Sequence, residues 1–296
     1  MSRQSATPDQ LSLPLAVARE VSSASAYAQR WRERRQSFRA PWDTTFTPDD
    51  YDVTLIPQAQ AKRWVTANHY SGTWPSVTLA YGLFHHGRLQ GVATLGVPGG
   101  PAVLHAAFPM LKDPGEALEL NRFVLADVVP RNGETWTLTQ VFRHAATQGV
   151  RGIVAHSDPC AIRTPEGQEV FPGHIGLIYI AHSAFYAGRT KPRTILVTPD
   201  GQVLDERAIS KVRNGERGQD YVIERLRRLG APPARRGESG ASWLPRALAI
   251  AGAFRLHRHG KHKYLFLIGT PTDRRVLLKQ LRELHPDPPA YPTATC

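Results

Sequence analysis

Apolar positions along the chain change period several times, and each change marks an element. Residues 51–56 alternate and read as a strand. Residues 57–68, PQAQAKRWVTAN, set Pro57 where a helix's first turn tolerates it and continue with helical spacing. HYSGTWPS at 69–76 is broken by Gly, Pro and Ser and reads as a loop. Apolar runs at 77–85 and 88–95 flank His86-Gly87, the pattern of a β-hairpin. Further strands fall at 119–125 (ELNRFVL), 151–156 (RGIVAH) and 193–198 (RTILVT), with a helix at 134–148 after Asn132-Gly133. The apolar run IGLIYIAHSAFYA at 175–187 reads as a helix ended by Gly188. Hairpin strands come first and then alternate with helices. That order predicts a mixed α/β (α+β) sheet rather than a strict dinucleotide-binding repeat.

The flanks differ from this core of 51–200. Residues 1–50 are rich in Ser, Gln, Ala, Pro and Asp and read as a poorly ordered lead-in up to about residue 47, with a short helix near 26–35. Residues 201–263 read as an inserted segment with short helices at 206–214, 220–229 and 243–252, separated by Gly-rich loops such as GAPPARRGESG. A helix-turn-helix-like module fits, and so do many helical insertions. Residues 264–296 supply a closing strand at 264–268, a helix and a Pro-rich tail.

Charge changes the picture. The 296 residues carry a net +12, and residues 189–285 hold 21 Lys and Arg against 9 Asp and Glu, which is the whole excess. A basic balance confined to one region points to a polyanion, with DNA phosphates the first reading and a solvated basic face the alternative. The cations that would meet a phosphate backbone are Lys211, Arg213, Arg217, Arg225, Arg227, Arg228, Arg258, Lys261 and Lys263. The cluster RLHRHGKHK at 255–263 reads as a phosphate-facing loop. Two cysteines exclude a disulfide framework and a thiolate-rich zinc site. No apolar run reaches the roughly 20 residues of a membrane span, and the opening residues carry no secretory pattern, so a cytoplasmic location is expected.

Four stretches could carry chemistry. His69, Tyr70 and Ser71 sit side by side on the first loop, where His69 could serve as a base, a metal ligand or a structural group. In ELNRFVL, alternation puts Glu119, Asn121 and Phe123 on one face and Leu120, Arg122 and Val124 on the other. Arg122 is then either half of an ion pair or an anion clamp. Ser157-Asp158 follows a buried strand, where ligands gather in open sheets, although Ser-Asp-Pro is also good turn chemistry. Tyr179, His182 and Tyr186 form a helical stripe that reads as packed core unless it lies beside Ser157-Asp158. There is no HExxH, no GxxxxGK[ST] and no GxSxG.

HYSG at 69–72, ELNRFVL at 119–125, SDP at 157–159 and GHIGLIYIAHSAFYAGR at 173–189 together resemble the Mom family of phage-encoded DNA-modification proteins. The resemblance spans about 120 residues. It implies a diverged acetyltransferase-like (GNAT) fold and conversion of adenine in DNA to an N6-carbamoylmethyl or related derivative, protecting phage DNA from host restriction. It implies catalytic roles for His69, Tyr70, Ser71, Arg122, Ser157, Asp158 and Tyr179. Asp158 would be the base, Arg122 would hold an anionic donor, and Tyr179 would position the target base. Iron is associated with the family, with His69 and Asp158 as candidate ligands. A small acyl or glycyl-type donor, acetyl-CoA among the candidates, would place its anionic part at Arg131, Asn132 and Gly133. That turn matches the acetyltransferase phosphate loop only in part, and the insertion at 201–263 exceeds a minimal fold of that kind.

Adenine N6 is a weak nucleophile inside a base pair, so the expected enzyme flips the base or acts on single strands, removes a proton and steadies the developing charge. The expected partners are double-stranded DNA and a small-molecule donor. A conventional N-acyltransferase on a protein or small amine is the alternative enzyme. A non-enzymatic DNA-binding protein is the alternative from another class.

Overall fold

The computed structural model describes residues 28–293 except 34, 40–44, 99, 101, 168 and 172. Strands β1 (Ala28–Arg32) and β2 (Arg35–Arg39) form a hairpin. The expected helix near 26–35 is therefore corrected from Ala28 onward, while the rest of the lead-in through residue 27 lies outside the described residues. A tertiary contact overrides local propensity here. The Arg30 guanidinium is 3% exposed and lies 2.7 Å from Glu134 Oε1, while also donating to the carbonyls of Ala126 and Val129.

Strands β3 (Tyr51–Leu55), β4 (Leu79–His85), β5 (Arg88–Gly96) and β6 (Ala117–Leu125) run antiparallel side by side. Helix α1 (Gln58–Asn68) joins β3 to β4, and α2 (Ala102–Ala107) lies between β5 and β6. The hairpin turn uses His86 and Gly87 at φ 47° and 75°, the doubly positive geometry that matches strand twist. Helix α3 (Gly133–Thr147) then crosses over to β7 (Gly152–Ser157), which pairs parallel with β6. A small hairpin, β8 (Ile162–Arg163) and β9 (Glu169–Phe171), and a short helix α4 (Leu177–Ala181) lead to β10 (Phe185–Arg189).

Next come β11 (Arg193–Val197), β12 (Val203–Leu204), α5 (Glu206–Asn214), α6 (Asp220–Arg228), α7 (Gly240–Ile250) and β13 (Phe254–Arg258). Strand β14 (His262–Leu267) returns to the main sheet and α8 (Pro271–Leu284) closes the described fold. The main sheet has the order β10-β14-β7-β6-β5-β4-β3, and β12-β11-β13 form a second sheet. This is the mixed α/β architecture that the strand and helix order predicts.

Two sequence expectations change. The run 175–187 is helical only to Ala181. Ser183 takes φ 57°, and Phe185–Arg189 pairs with β14 as a strand. Gly188, expected to end a helix, instead marks an irregularity in that pairing between Tyr186 and Arg189. Apolar runs of this length suit either element, and β14, some 75 residues away, decides the outcome. The cluster 255–263 is likewise two strands with a short connection, and His262 is buried with its Nδ1 2.7 Å from Tyr186 Oη.

The principal core lies between the sheet and α3–α4, where Leu95, Leu118, Leu120, Leu138, Val141, Ile153 and Ala155 are buried together. The other sheet face is covered by α1 through Ala61 and Val65, and by α2 and α8 through Leu104, Phe108 and Leu281. The inserted helices hold their own core of Ile209, Val212, Val222, Leu226, Trp243 and Leu244. Each fully buried aliphatic side chain there contributes about 1.5–3 kcal/mol, enough for a separately packed module. Asp205 caps α5 through the amides of Arg207 and Ala208, and Gly215 at φ 67° ends it. No helix among the described residues is long and apolar enough to cross a membrane.

Candidate active site

Strands β6 and β7 pair only from Ala117 opposite Gly152 to Leu120 opposite Ala155. Beyond that point the two strands separate: β6 continues along β5, and His156 and Ser157 pair with β14. The parallel strands thus part at their carboxyl ends, the position where open sheets bind ligands.

A bulge shapes β6 at this mouth. Thr94 pairs with Arg122 and Leu95 with Leu120, so Asn121 is the extra residue. Its side chain bonds Thr94 Oγ1 at 2.5 Å and the Ser76 carbonyl at 2.9 Å. Leu120 and Phe123 consequently pack on the same core, which strict alternation forbids. The expected grouping of Glu119 with Phe123 and of Leu120 with Arg122 is corrected by this one residue. Glu119 and Arg122 now lie close enough for the carboxylate to act on the guanidinium.

Arg122 is held by Thr73, through the carbonyl at 3.2 Å and Oγ1 at 2.7 Å, and by the Asn121 carbonyl. No carboxylate among the described residues comes within ion-pair distance of it. Burial draws its pKa below the ordinary value, with Tyr70 and Glu119 opposing. Of the two readings of Arg122, the geometry matches the anion clamp.

The loop after α1 lies against this arginine. His69 is buried and its pKa is held well below 6.5, first by burial and then by the charges of Arg122 and His174. The Ser71 amide donates to His69 Nδ1 at 3.2 Å, and Ser71 Oγ lies 2.9 Å from the same atom. A neutral His69 therefore carries its proton on Nε2 and has no free lone pair for a substrate. Tyr70 stacks on Phe171 at 4.5 Å and meets His174 edge-on at 6.1 Å. Burial pushes His174 down to about 4.

Asp158 has a different neighbourhood from the one its position suggests. Its Oδ1 accepts from the Arg258 guanidinium and, at 3.3 Å, from the Cys160 amide. Arg258 also donates to the carbonyls of Ala161, at 2.8 Å, and Cys160, and is 5% exposed. The expectation that Arg258 meets DNA is corrected: its guanidinium is buried against the core. Ser157 is buried and packs against Gly176, beside Tyr179. Tyr179 packs on Tyr264 and Phe266, and burial together with the charges of Tyr70 and Glu119 raises its pKa. Thus His69, Tyr70, Ser71, Arg122, Asp158 and Tyr179 share one neighbourhood, with Ser157 buried beside Tyr179.

Two residues outside the expected set, His156 and Glu119, belong to that neighbourhood, and so does Lys261, expected instead to meet DNA phosphates. His156 Nδ1 lies 3.0 Å from Glu119 Oε1, across the parting of β6 and β7, and both side chains are partly exposed. Lys261 follows β13, with burial lowering its pKa against the pull of Asp158. The sequence signals each of them: Glu119 stands out in ELNRFVL, Lys261 in the basic run, and RGIVAHSDP puts His156 two residues before Asp158.

The donor turn is more closed than the resemblance implies. Arg131 and Asn132 are exposed, but Gly133 is buried, its Cα packed beneath Val129 and Phe46, and its amide bonds the Pro130 carbonyl. Glu134, in the first turn of α3, faces Arg30. An acidic first turn opposes a phosphate there. Iron finds no set of ligands: among the described residues no three His, Cys, Asp or Glu side chains gather for one ion. His69 Nδ1 is taken by Ser71 and Asp158 by Arg258, so these donors do not fit iron and no step runs through it.

On the inserted module Arg213, Arg217, Arg227 and Arg228 are exposed, and Lys211 is half-buried. Arg225 is tied to Asp200 at 2.9 Å and to Thr198 at 3.1 Å. Lys263 pairs with His156 across β14 and β7. Tyr70 and Phe171 share a small core with Ile195, Val197, Phe254 and Leu256 of the second sheet, which fixes the module beside the mouth.

No curated protein matches the chain. Among solved structures it is similar to a tandem GNAT protein from the clavulanic acid biosynthesis pathway, with 10% identity and a TM-score of 0.37 over 74% of this chain and 99% of that one. It is also similar to FeeM, an N-acyl amino acid synthase from uncultured soil microbes, with 18% identity and a TM-score of 0.27 over 37% of this chain and 72% of that one. Similarity at this level bears on neither substrate nor mechanism. The model of the Mom protein family matches residues 50–285. That span takes in the His69 loop, the mouth between β6 and β7 and the whole basic module, and the chain belongs to the Mom protein family.

Proposed function

We propose that this protein modifies adenine in DNA at the N6 amine, adding a carbamoylmethyl or related group from a small activated donor. Family membership supports a DNA-modification role, and one observation carries the chemistry. Arg122 is desolvated, has no carboxylate partner among the described residues, and stands where two parallel strands part. A half-buried cation without a paired carboxylate is stabilised by an anion arriving from outside, here the negative group of the donor.

The remaining groups fit around that clamp. Tyr70, half-buried and backed by Phe171, supplies an aromatic edge for an extruded base. The exposed Arg213, Arg217, Arg227 and Arg228 supply contacts to phosphates that position DNA without reading its sequence. Adenine N6 projects into the major groove, so a group added there blocks the face that restriction enzymes read.

The test is mass spectrometry of nucleosides from cells expressing the intact chain or Arg122→Ala. The expected result is a new deoxyadenosine derivative with the intact chain alone, its mass naming the added group. Unchanged nucleosides from cells holding folded, DNA-binding protein would overturn the proposal.

A further inference from the structure

We infer that His156, oriented by Glu119, is the general base that takes the proton from the acceptor amine; this rests on the DNA-modification reading above. Amine transfer needs a base at the mouth, and Asp158, His69 and Ser157 are each engaged or buried. Asp158 neutralises Arg258. His69 spends Nδ1 on Ser71 and is held in the neutral form. Ser157 is 1% exposed.

His156 has the opposite circumstances. A carboxylate only accepts, so the 3.0 Å contact to Glu119 Oε1 puts the proton of His156 on Nδ1. Its Nε2 then presents a lone pair, and no group among the described residues bonds that atom. The side chains are 13% and 21% exposed, so the pair is shielded yet open to a ligand. Position strengthens the case. His156 is the first β7 residue beyond the last pair with β6, and Glu119 is the next-to-last paired residue of β6. The imidazole thus stands at the fork, bridged to one arm while attached to the other. This is the base-and-orienter arrangement of nucleophile activation, built across two strands instead of within a loop.

In the step itself, the adenine N6 pair forms a bond to the electrophilic carbon of the activated donor. The bond from that carbon to its leaving group breaks, and the leaving group departs with the electron pair. One N6 proton passes to His156 Nε2, and Glu119 stabilises the resulting imidazolium. Glu119 is a positioning residue and His156 is the catalytic one.

The experiment compares intact chain, His156→Gln and Glu119→Gln by nucleoside mass spectrometry from expressing cells, with thermal unfolding and duplex binding measured on each purified protein. A general base is worth about 10²–10⁴-fold, so His156→Gln should lower the derivative at least about 100-fold, with DNA affinity unchanged. Glu119→Gln should fall between that variant and the intact chain. Purified His156→Ala, given plasmid DNA and a protein-free extract of the same cells, should regain modification when imidazole is added. Arg122→Ala should not. His156→Gln retaining activity within about threefold overturns the inference and leaves the DNA reading standing. Absence of any derivative with the intact chain overturns both. Should His156→Gln fail to fold, the imidazole result decides: no rescue of His156→Ala overturns the inference.

Discussion

Replacing Asp158 by Ala should destabilise the fold before it says anything about chemistry. Among the described residues the carboxylate is the one counter-charge of Arg258, whose side chain is 6% exposed and otherwise bonded to two neutral carbonyls. Removing one partner of a buried pair leaves an uncompensated charge and costs about 3–5 kcal/mol. At roughly 2–4 °C per kcal/mol for a chain of this class, the melting temperature should fall by about 6–20 °C. Arg258→Met alone should cost less, because Asp158 is 16% exposed and can turn to water. Asp158→Leu combined with Arg258→Met should recover most of the loss, since an apolar pair of similar volume often equals a buried ion pair. Circular dichroism melts of Asp158→Leu, Arg258→Met and their combination, read as a double-mutant cycle, measure the coupling. An Asp158→Ala protein that melts within about 2 °C of the parent yet makes no modified base would refute this reasoning. It would return Asp158 to the reacting atoms.

Other outcomes follow from single features. A β-carbon on Gly133 would press on Val129 and on Phe46 at 3.3 Å, so Gly133→Ala should cost about 1–3 kcal/mol in urea unfolding; an unchanged midpoint counts against the packed turn. Neutralising Arg227 and Arg228 should flatten the dependence of log affinity for duplex DNA on log salt by about 0.9 for each phosphate deprived of its cation, measured by anisotropy; an unchanged slope removes these residues from the interface. His174 and His262 are both pushed down to about 4, chiefly by burial, from an ordinary 6.5. The unfolded chain binds those protons first, so their contribution is complete above pH 6.5 and is lost as pH falls towards 4. The slope is at most about 1.4 kcal/mol per pH unit for each, and equal melting temperatures at neutral and mildly acid pH would contradict it.

Local chemistry makes much of this fold legible. His86-Gly87 names its hairpin, Asp205 and Gly215 bound their helix, and the three helices of the basic module fall close to where sequence period puts them. What stays hidden is decided at long range. Phe185–Arg189 is a strand because β14 arrives beside it, and Ala28–Arg32 lies where Arg30 can reach Glu134. The site meets the same limit. Arg122 and Tyr70 stand out by residue type, but the bulge at Asn121 has no local signature, and it decides which face Arg122 joins. Arg258 reads as one more cation in a basic run, and only a bond across 100 positions in the chain withdraws it from the surface.

The shared core of Tyr70, Phe171, Ile195 and Phe254 limits how such a protein can be re-targeted. The basic segment resembles a cassette in the sequence, with ends that invite excision. Its root strands β11 and β13 instead form part of the wall behind Tyr70, and Arg258 is the latch on Asp158. Cutting it out would strip the β13 packing behind Tyr70 and unlock the latch together. Under the proposed function, exchange of DNA preference would be confined to the outer helices, between Asp205 and Ala253, leaving both root strands in place.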